Sequence, residues 1–261
     1  ADSNTAVGYG ALGVNTTGAH NVAMGAYALD ANTTAANNTA IGYSAMGANT
    51  TGTNNAAVGY LALSANTTGG NNNAFGMNCL DANTTGGTNN AFGAFALGSN
   101  TTGSSNVAMG YNSLATNTTG AANTALGHDT LVLNTTGAAG TAVGFQALDS
   151  NTSGANNTAI GYVAMQSNTT GASSTACGYA ALDAATTATN NAGFGLQSLP
   201  ACTTGPNNLA VGTYSGLHLT TGAQNTFLGM YAGNGLTTGT YNVYVGYNAQ
   251  PSAVNVTNEI V

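Results

Sequence analysis

Asn38-Thr39-Ala40-Ile41-Gly42-Tyr43-Ser44-Ala45-Met46-Gly47-Ala48-Asn49-Thr50-Thr51-Gly52-Thr53-Asn54 is the unit from which this chain is built. Aligned on Gly42, the pattern returns every 17 residues, with pivotal glycines at Gly8, Gly25, Gly42, Gly59, Gly76, Gly93, Gly110, Gly127, Gly144, Gly161, Gly178, Gly195, Gly212, Gly229 and Gly246. Fifteen copies follow one another without insertion or deletion. So strict a period marks a repeat architecture, in which each copy is one structural unit stacked on the next. Positions are counted below from the pivotal glycine as zero.

Position −1 is apolar in every copy: Val7, Met24, Ile41, Val58, Phe75, Phe92, Met109, Leu126, Val143 and Ile160, then Cys177, Phe194, Val211, Leu228 and Val245. Position −2 is Ala except at Gly193, Phe227 and Tyr244, and position +4 is Leu or Met from Leu12 through Leu199. The remainder is Asn, Thr and Gly, the composition of turns. Short apolar runs without i, i+3, i+4 spacing, broken by glycine, argue against helix. The pattern predicts an all-β fold, a parallel β-solenoid (β-roll) of fifteen 17-residue rungs. Each rung is expected to carry a strand at −3 to +1, a short second strand near +2 to +4, and turns between them. At about 4.8 Å per rung the rod would measure roughly 70 Å. Residues 1–253 read as one continuous shaft, less regular from about 185, and 254–261 as a C-terminal transition or capping segment that leaves the repeat.

The composition narrows the function classes. The 261 residues include 38 Gly, no Lys or Arg, and a formal charge of −7. With 43% hydrophobic and 3% charged residues, the chain lacks the charge-rich signature of disorder. Nucleic-acid binding requires cations at phosphates and is excluded. No apolar run approaches the roughly 18 residues of a membrane span, so membrane insertion is not expected. Trypsin has no site to cut, which suits an extracellular protein. The start Ala1-Asp2-Ser3, without an initiator Met, reads as a processed export product or a fragment. Cys79, Cys177 and Cys202 occupy three different repeat positions, and Cys79 and Cys177 are too many rungs apart to form one disulfide.

Neighbouring residues in a strand face opposite sides. With −1 and −2 both apolar, one face closes the coil and the other forms an apolar stripe, larger than a monomer tolerates. The stripe is therefore expected to pack against further copies of the chain, most simply as a homotrimer. Without polar caps at its ends, the unit would either continue in a longer chain or stack end to end into a filament.

Each repeat position becomes a column along the coil. The +7 column is Asn15, Asn32, Asn49, Asn66, Asn83, Asn100, Asn117, Asn134, Asn151 and Asn168, and a second Asn column stands at −4. Amide ladders are expected there. The Asn-Thr-Thr sequons are a glycosylation alternative, disfavoured because glycans on consecutive rungs would collide. Thr at +8 and +9 raises ice binding, but adjacent residues do not share a flat face. Aromatics gather at one corner, including Tyr9, Tyr27, Tyr43, Tyr60, Tyr111, Tyr162 and Tyr179. They read as corner packing, with glycan stacking as the alternative. Asp30, Asp81, Asp149 and Asp183 share +5 with Gly13, Gly47 and Gly98, which suggests a turn with unusual backbone angles. Asp2, Asp129, Glu259, His20, His128 and His218 are scattered, so no catalytic site, metal site or cofactor is expected.

Asn-Thr-Ala-Ile-Gly at 38–42 and 157–161, with Asn-Thr-Ala-Val-Gly-Tyr-Gly-Ala-Leu at 4–12, resembles two related groups. One is the trimeric β-roll head of trimeric autotransporter adhesins. The other, closer in repeat length and in its Asn-Thr-Thr-Gly turn, is the repeat shaft of bacteriophage tail fibres. The Asn-Glu-Ile-Val ending resembles the passage that precedes a self-cleaving chaperone domain in such fibres. The resemblance implies a non-enzymatic, extracellular, cell-surface or virion fibre shaft, with possible receptor contact. A glycan-binding adhesin and an ice-binding solenoid are the alternatives.

Overall fold

The computed structural model describes residues Ser3–Val261, so Asp2 lies outside the described residues. Each repeat forms one turn of a parallel β-solenoid, and no helix occurs among the described residues. The chain divides into two compact units. The first runs to His128 and includes Leu133–Thr136; the second comprises Asp129–Val132 and Gly137–Val261. In the first unit the strands are β1 Thr5–Val7, β2 Val22–Met24, β3 Thr39–Ile41, β4 Ala56–Val58, β5 Asn73–Phe75, β6 Asn90–Phe92, β7 Val107–Met109 and β8 Thr124–Leu126. In the second they are β9 Thr141–Val143, β10 Thr158–Ile160, β11 Thr175–Cys177, β12 Ala192–Phe194, β13 Leu209–Val211, β14 Thr226–Leu228 and β15 Val243–Val245. Within each unit, strands pair in sequence order, parallel and 17 residues apart, as Ala40 with Ala57 and Ala159 with Ala176.

The strand is shorter than its sequence suggests because the pivotal glycine ends it. These glycines have φ between +125° and +145°. A β-carbon on Gly42 would stand 2.3 Å from the carbonyl oxygen of Gly59 in the next turn. Glycine is thus required twice, for its backbone angle and for the close approach of consecutive turns. The amide of Gly42 donates back to Met24 O at 2.8 Å, while Thr39 donates forward to Asn55 O at 2.9 Å.

The second strand expected at +2 to +4 is absent. In its place is a corner with left-handed residues at +2 and +4, such as Ser44 (φ 49°) and Met46 (φ 53°). Non-glycine residues in this region cost roughly 1–2 kcal/mol each, and the corner must repay that elsewhere. It does so through backbone bonding. Ser44 N donates to Ala26 O of the preceding turn at 2.9 Å, and Met46 N to Ala62 O of the following turn at 3.0 Å. The same geometry turns the +4 side chain fully inward, and Leu29, Met46, Leu63, Leu80 and Leu97 are 0% exposed. Burying each is worth about 1.5–3 kcal/mol. The +5 reading is corrected as well: Gly13, Gly47 and Gly98 are not among the positive-φ residues. The angles that bend the chain lie one and three residues earlier.

In the second unit the interior changes composition at constant volume. Phe227 and Tyr244 replace the inward Ala at −2, their rings stacked at 5.8 Å and 5°. Opposite them Gly216 and Gly233 replace the +4 Leu, and a β-carbon on Gly233 would lie 2.1 Å from Phe227 Cδ1. Large and small residues have exchanged sides. The C-terminal segment also continues the coil in register, where the sequence reading had it leave the repeat. Val243 bridges Ile260 in parallel, Thr237 N donates to Val254 O at 2.8 Å, and Asn242 Nδ2 donates to Val256 O at 2.8 Å. Glu259 stands where earlier turns carry the −4 Asn, its amide donating to Asn242 Oδ1 at 2.8 Å.

Two glycine substitutions separate these roles. Gly110→Ala is expected to destabilise by on the order of 3 kcal/mol or more, since its β-carbon meets Gly127 O at 2.3 Å at φ +135°. Gly98→Ala has no contact shorter than 3.3 Å and is expected to be within about 0.5 kcal/mol of neutral. Urea unfolding midpoints of the two variants measure the difference.

Candidate functional site

The two Asn columns lie inside the coil and are joined by a shared acceptor. At +7, Asn66 Nδ2 donates to Asn49 Oδ1 at 2.8 Å and to Gly69 O at 2.9 Å. The bonds of Asn32, Asn49, Asn83, Asn100, Asn117, Asn134 and Asn168 to the preceding Asn repeat this ladder. At −4, Asn55 Nδ2 reaches the same Gly69 O at 2.9 Å, while its Oδ1 accepts from Asn72 N at 2.8 Å. One carbonyl at +10 therefore takes a hydrogen bond from each column. Asn32, Asn66, Asn100 and Asn134 are 0% exposed, so the amide nitrogens of these sequons are interior groups, closed to glycosylation in the folded chain. The ladder ends at Asn168, whose Oδ1 is buried without a partner because Ala185 follows it with no donor. At Cys202 the thiol takes over the amide's task and donates to Gly205 O at 3.3 Å.

The outer surface carries the other columns. Position −1 points away from the interior: Val7, Met24, Ile41, Phe75, Phe92, Met109 and Ile160 are exposed, and Val58, Leu126, Val143 and Cys177 are half-buried. Phe75 and Phe92 stack on each other at 5.0 Å. At the neighbouring corner the aromatics form rows. Tyr43 and Tyr60 stack at 5.6 Å and 15°, as do Tyr162 and Tyr179 at 5.4 Å and 4°, while Tyr27 meets Tyr9 and Tyr43 edge-on. Tyr111 stacks on His128 at 5.1 Å. Their faces are turned largely toward one another. The +8 threonines are tied to backbone, as Thr50 Oγ1 donates to Thr67 O at 3.0 Å, and only the +9 hydroxyls project outward.

The titratable groups stand apart. Burial raises the Asp81 and Asp183 carboxyls above the usual carboxylate range, and burial with the nearby Asp129 raises Asp149. Hydrogen bonds from Ser252 and from the Tyr244 phenol lower Glu259. Burial pushes the Cys79 thiol up to about 12 and the Cys202 thiol up to about 11. No disulfide forms among the three cysteines. Among the described residues, no group of three His, Cys, Asp or Glu could hold a metal ion, and no helix is long and apolar enough to cross a membrane. A groove of about 500 Å³ opens on the first unit, lined by residues including Asn78, Asp81, Phe95, Gly98, Asn112 and Thr116. Sequence reasoning missed it, although the run Asp81, Gly98, Ala115 at +5 marks where side chains shrink.

With this geometry in hand, comparison with known proteins adds no family: no protein-family model and no curated protein matches the chain.

The ladder predicts that Asn100→Ala will destabilise by about 2–3 kcal/mol, because Asn83 Oδ1 then loses its donor as Asn168 Oδ1 has. Urea unfolding reads this, and a change below about 0.5 kcal/mol would contradict the ladder's role.

The carboxyls predict stability against acid. Asp81, Asp149 and Asp183 are raised on folding, so the stability they contribute is complete below the unfolded carboxylate value of about 3.9 and is lost as pH rises through their folded values. Glu259 is lowered and acts oppositely, losing its contribution as pH falls through its folded value. Three groups outweigh one, and acid also removes like charge. The melting temperature is expected to be higher near pH 3.5 than near pH 7. Calorimetry across that range checks it, and a fall toward acid would contradict the assignment.

Proposed function

We propose that this chain is a non-enzymatic structural segment of an extracellular, cell-surface or virion fibre, resembling a tail-fibre shaft, and that its −1 column packs against further copies in a homotrimer. The observation that supports this reading is the exposure of an apolar residue at −1 on strand after strand, with no charge among them. Eight strands about 4.8 Å apart place their −1 side chains in one outward column along the first unit. An exposed apolar column repeated on successive turns is the kind of contiguous surface that marks a contact site. A second copy is the occupant whose spacing fits, because its own turns repeat at the same interval. A glycan-binding role for the aromatic corner draws less support, since the stacked rings offer a sugar mainly their edges.

Sedimentation velocity and native mass spectrometry are expected to give three chains for the wild type and one for an Ile41→Asp, Ile160→Asp variant. Cys177, within the column, is expected to resist iodoacetamide in the assembly and react in the monomeric variant, while buried Cys79 and Cys202 resist in both. A stable wild-type monomer would overturn the proposal.

A further inference from the structure

The groove on the first unit has a chemistry that the fibre reading does not use. Its walls come from three consecutive turns: Asn78 and Asp81 from the first, Phe95 and Gly98 from the second, Asn112 and Thr116 from the third. Gly98 creates the opening, since the adjacent turns carry Asp81 and Ala115 at the same position. The place a side chain would start at Gly98 is ringed by oxygen acceptors: Phe95 O at 3.3 Å, Asp81 Oδ1 at 3.5 Å and Asn78 O at 3.6 Å. At Gly13 the equivalent place is already filled, because Asp30 Oδ1 lies 2.8 Å from it.

We propose that this groove binds a primary ammonium group. An ammonium offers three N–H donors and no acceptor, and the groove is lined by residues that carry acceptors, the Asp81 carboxylate and the Asn78 and Phe95 carbonyls, beside the space that Gly98 leaves open. The Asp81 carboxylate is half-buried in a chain with no Lys or Arg, so no side chain of those types can neutralise it. Its hydrogen bonds come from the backbone at Asp81 and Ala82 and bring no full positive charge, so a bound cation offsets desolvation that they leave uncompensated. Burial raises the Asp81 carboxyl above the usual carboxylate range. Phe95 adds an aromatic wall, and cations are attracted to ring faces. The ammonium could be carried by an amino sugar or by a lysine side chain, and both present the same group.

Saturation-transfer NMR on the full chain tests this with glucosamine and lysine amide as probes, against N-acetylglucosamine and norleucine amide as neutral counterparts. At least one cation is expected to bind with a dissociation constant on the order of 1 mM, and its neutral counterpart at least about tenfold more weakly. The stronger of the two cations identifies the carrier. Asp81→Asn removes the charge and Gly98→Gln fills the groove; Gln166 occupies the same position in the second unit, so the fold accommodates that side chain. Each variant is expected to weaken binding about tenfold while leaving circular dichroism and native mass unchanged. Equal binding of the neutral counterparts, full binding by Asp81→Asn, or no binding by either cation overturns the proposal. The groove lies within one unit of one chain, so a monomeric wild type would sink the trimer and leave this result to stand on its own.

Discussion

Where Gly42 passes Gly59, backbone meets backbone with no room for a β-carbon, and the spacing of the other columns follows from that contact. At one residue, the chain bonds back through Gly42 N to Met24 O; three residues earlier it bonds forward through Thr39 N to Asn55 O. Each turn is thereby committed to both neighbours over the same short stretch. An inserted residue would shift one set of partners relative to the other, and in a strand a one-residue slip sends every side chain to the opposite face. The unvarying 17-residue period is what this double commitment requires.

The interior then has to satisfy backbone groups that the short strands leave over. Three-residue strands supply few ladder bonds, and the +10 carbonyl faces a buried interior. Two amides from different columns meet it, as Asn55 and Asn66 do at Gly69 O. A buried acceptor left bare costs about 1–3 kcal/mol, so a polar core here is the lower-energy arrangement. The second unit shows the alternative. From Ala185 onward the +7 amide gives way to Cys202, Leu219 and Leu236, and the inward Ala to Phe227 and Tyr244. The exchange leaves the −4 amides to hold the +10 carbonyls, as Asn225 does at Gly239 O. One cost of the change is Asn168 Oδ1, buried without a partner.

Much of this was legible in the sequence, for a definite reason. A period of 17 and an inward Ala beside an outward Ile are one-dimensional signals, and a solenoid converts them directly into columns. The corner was less legible. Leu and Met at +4 look like strand residues, yet they adopt left-handed angles because tertiary hydrogen bonds in both directions outweigh the local preference. The signal was present in Gly10, Asn78, Asn112 and Asn248 at +2 and in Gly216 and Gly233 at +4, residue types that tolerate positive φ. The register of the tail is hidden because Pro251 and Val256 disguise a turn whose partners lie a full period earlier. The groove escaped notice because it is made by an absence, the missing side chain of Gly98, which a column of residue types does not display.

A chain without Lys or Arg also has to arrange its few anions so that they do little harm. Asp30, Asp81, Asp149 and Asp183 share a column but never consecutive turns. Two carboxylates one turn apart would stand about 4.8 Å from each other, close enough at a half-buried site for one to remain protonated. Spacing them removes that repulsion within the column, but burial still raises Asp81, Asp149 and Asp183. These three carboxyls oppose the fold at neutral pH, and packing and hydrogen bonds hold it against them. Salt screening has no Lys or Arg ion pair to weaken, so moderate ionic strength should leave the coil intact. The groove at Asp81 is where the proposed ammonium ligand would meet the imbalance from outside, in a chain with no Lys or Arg side chain.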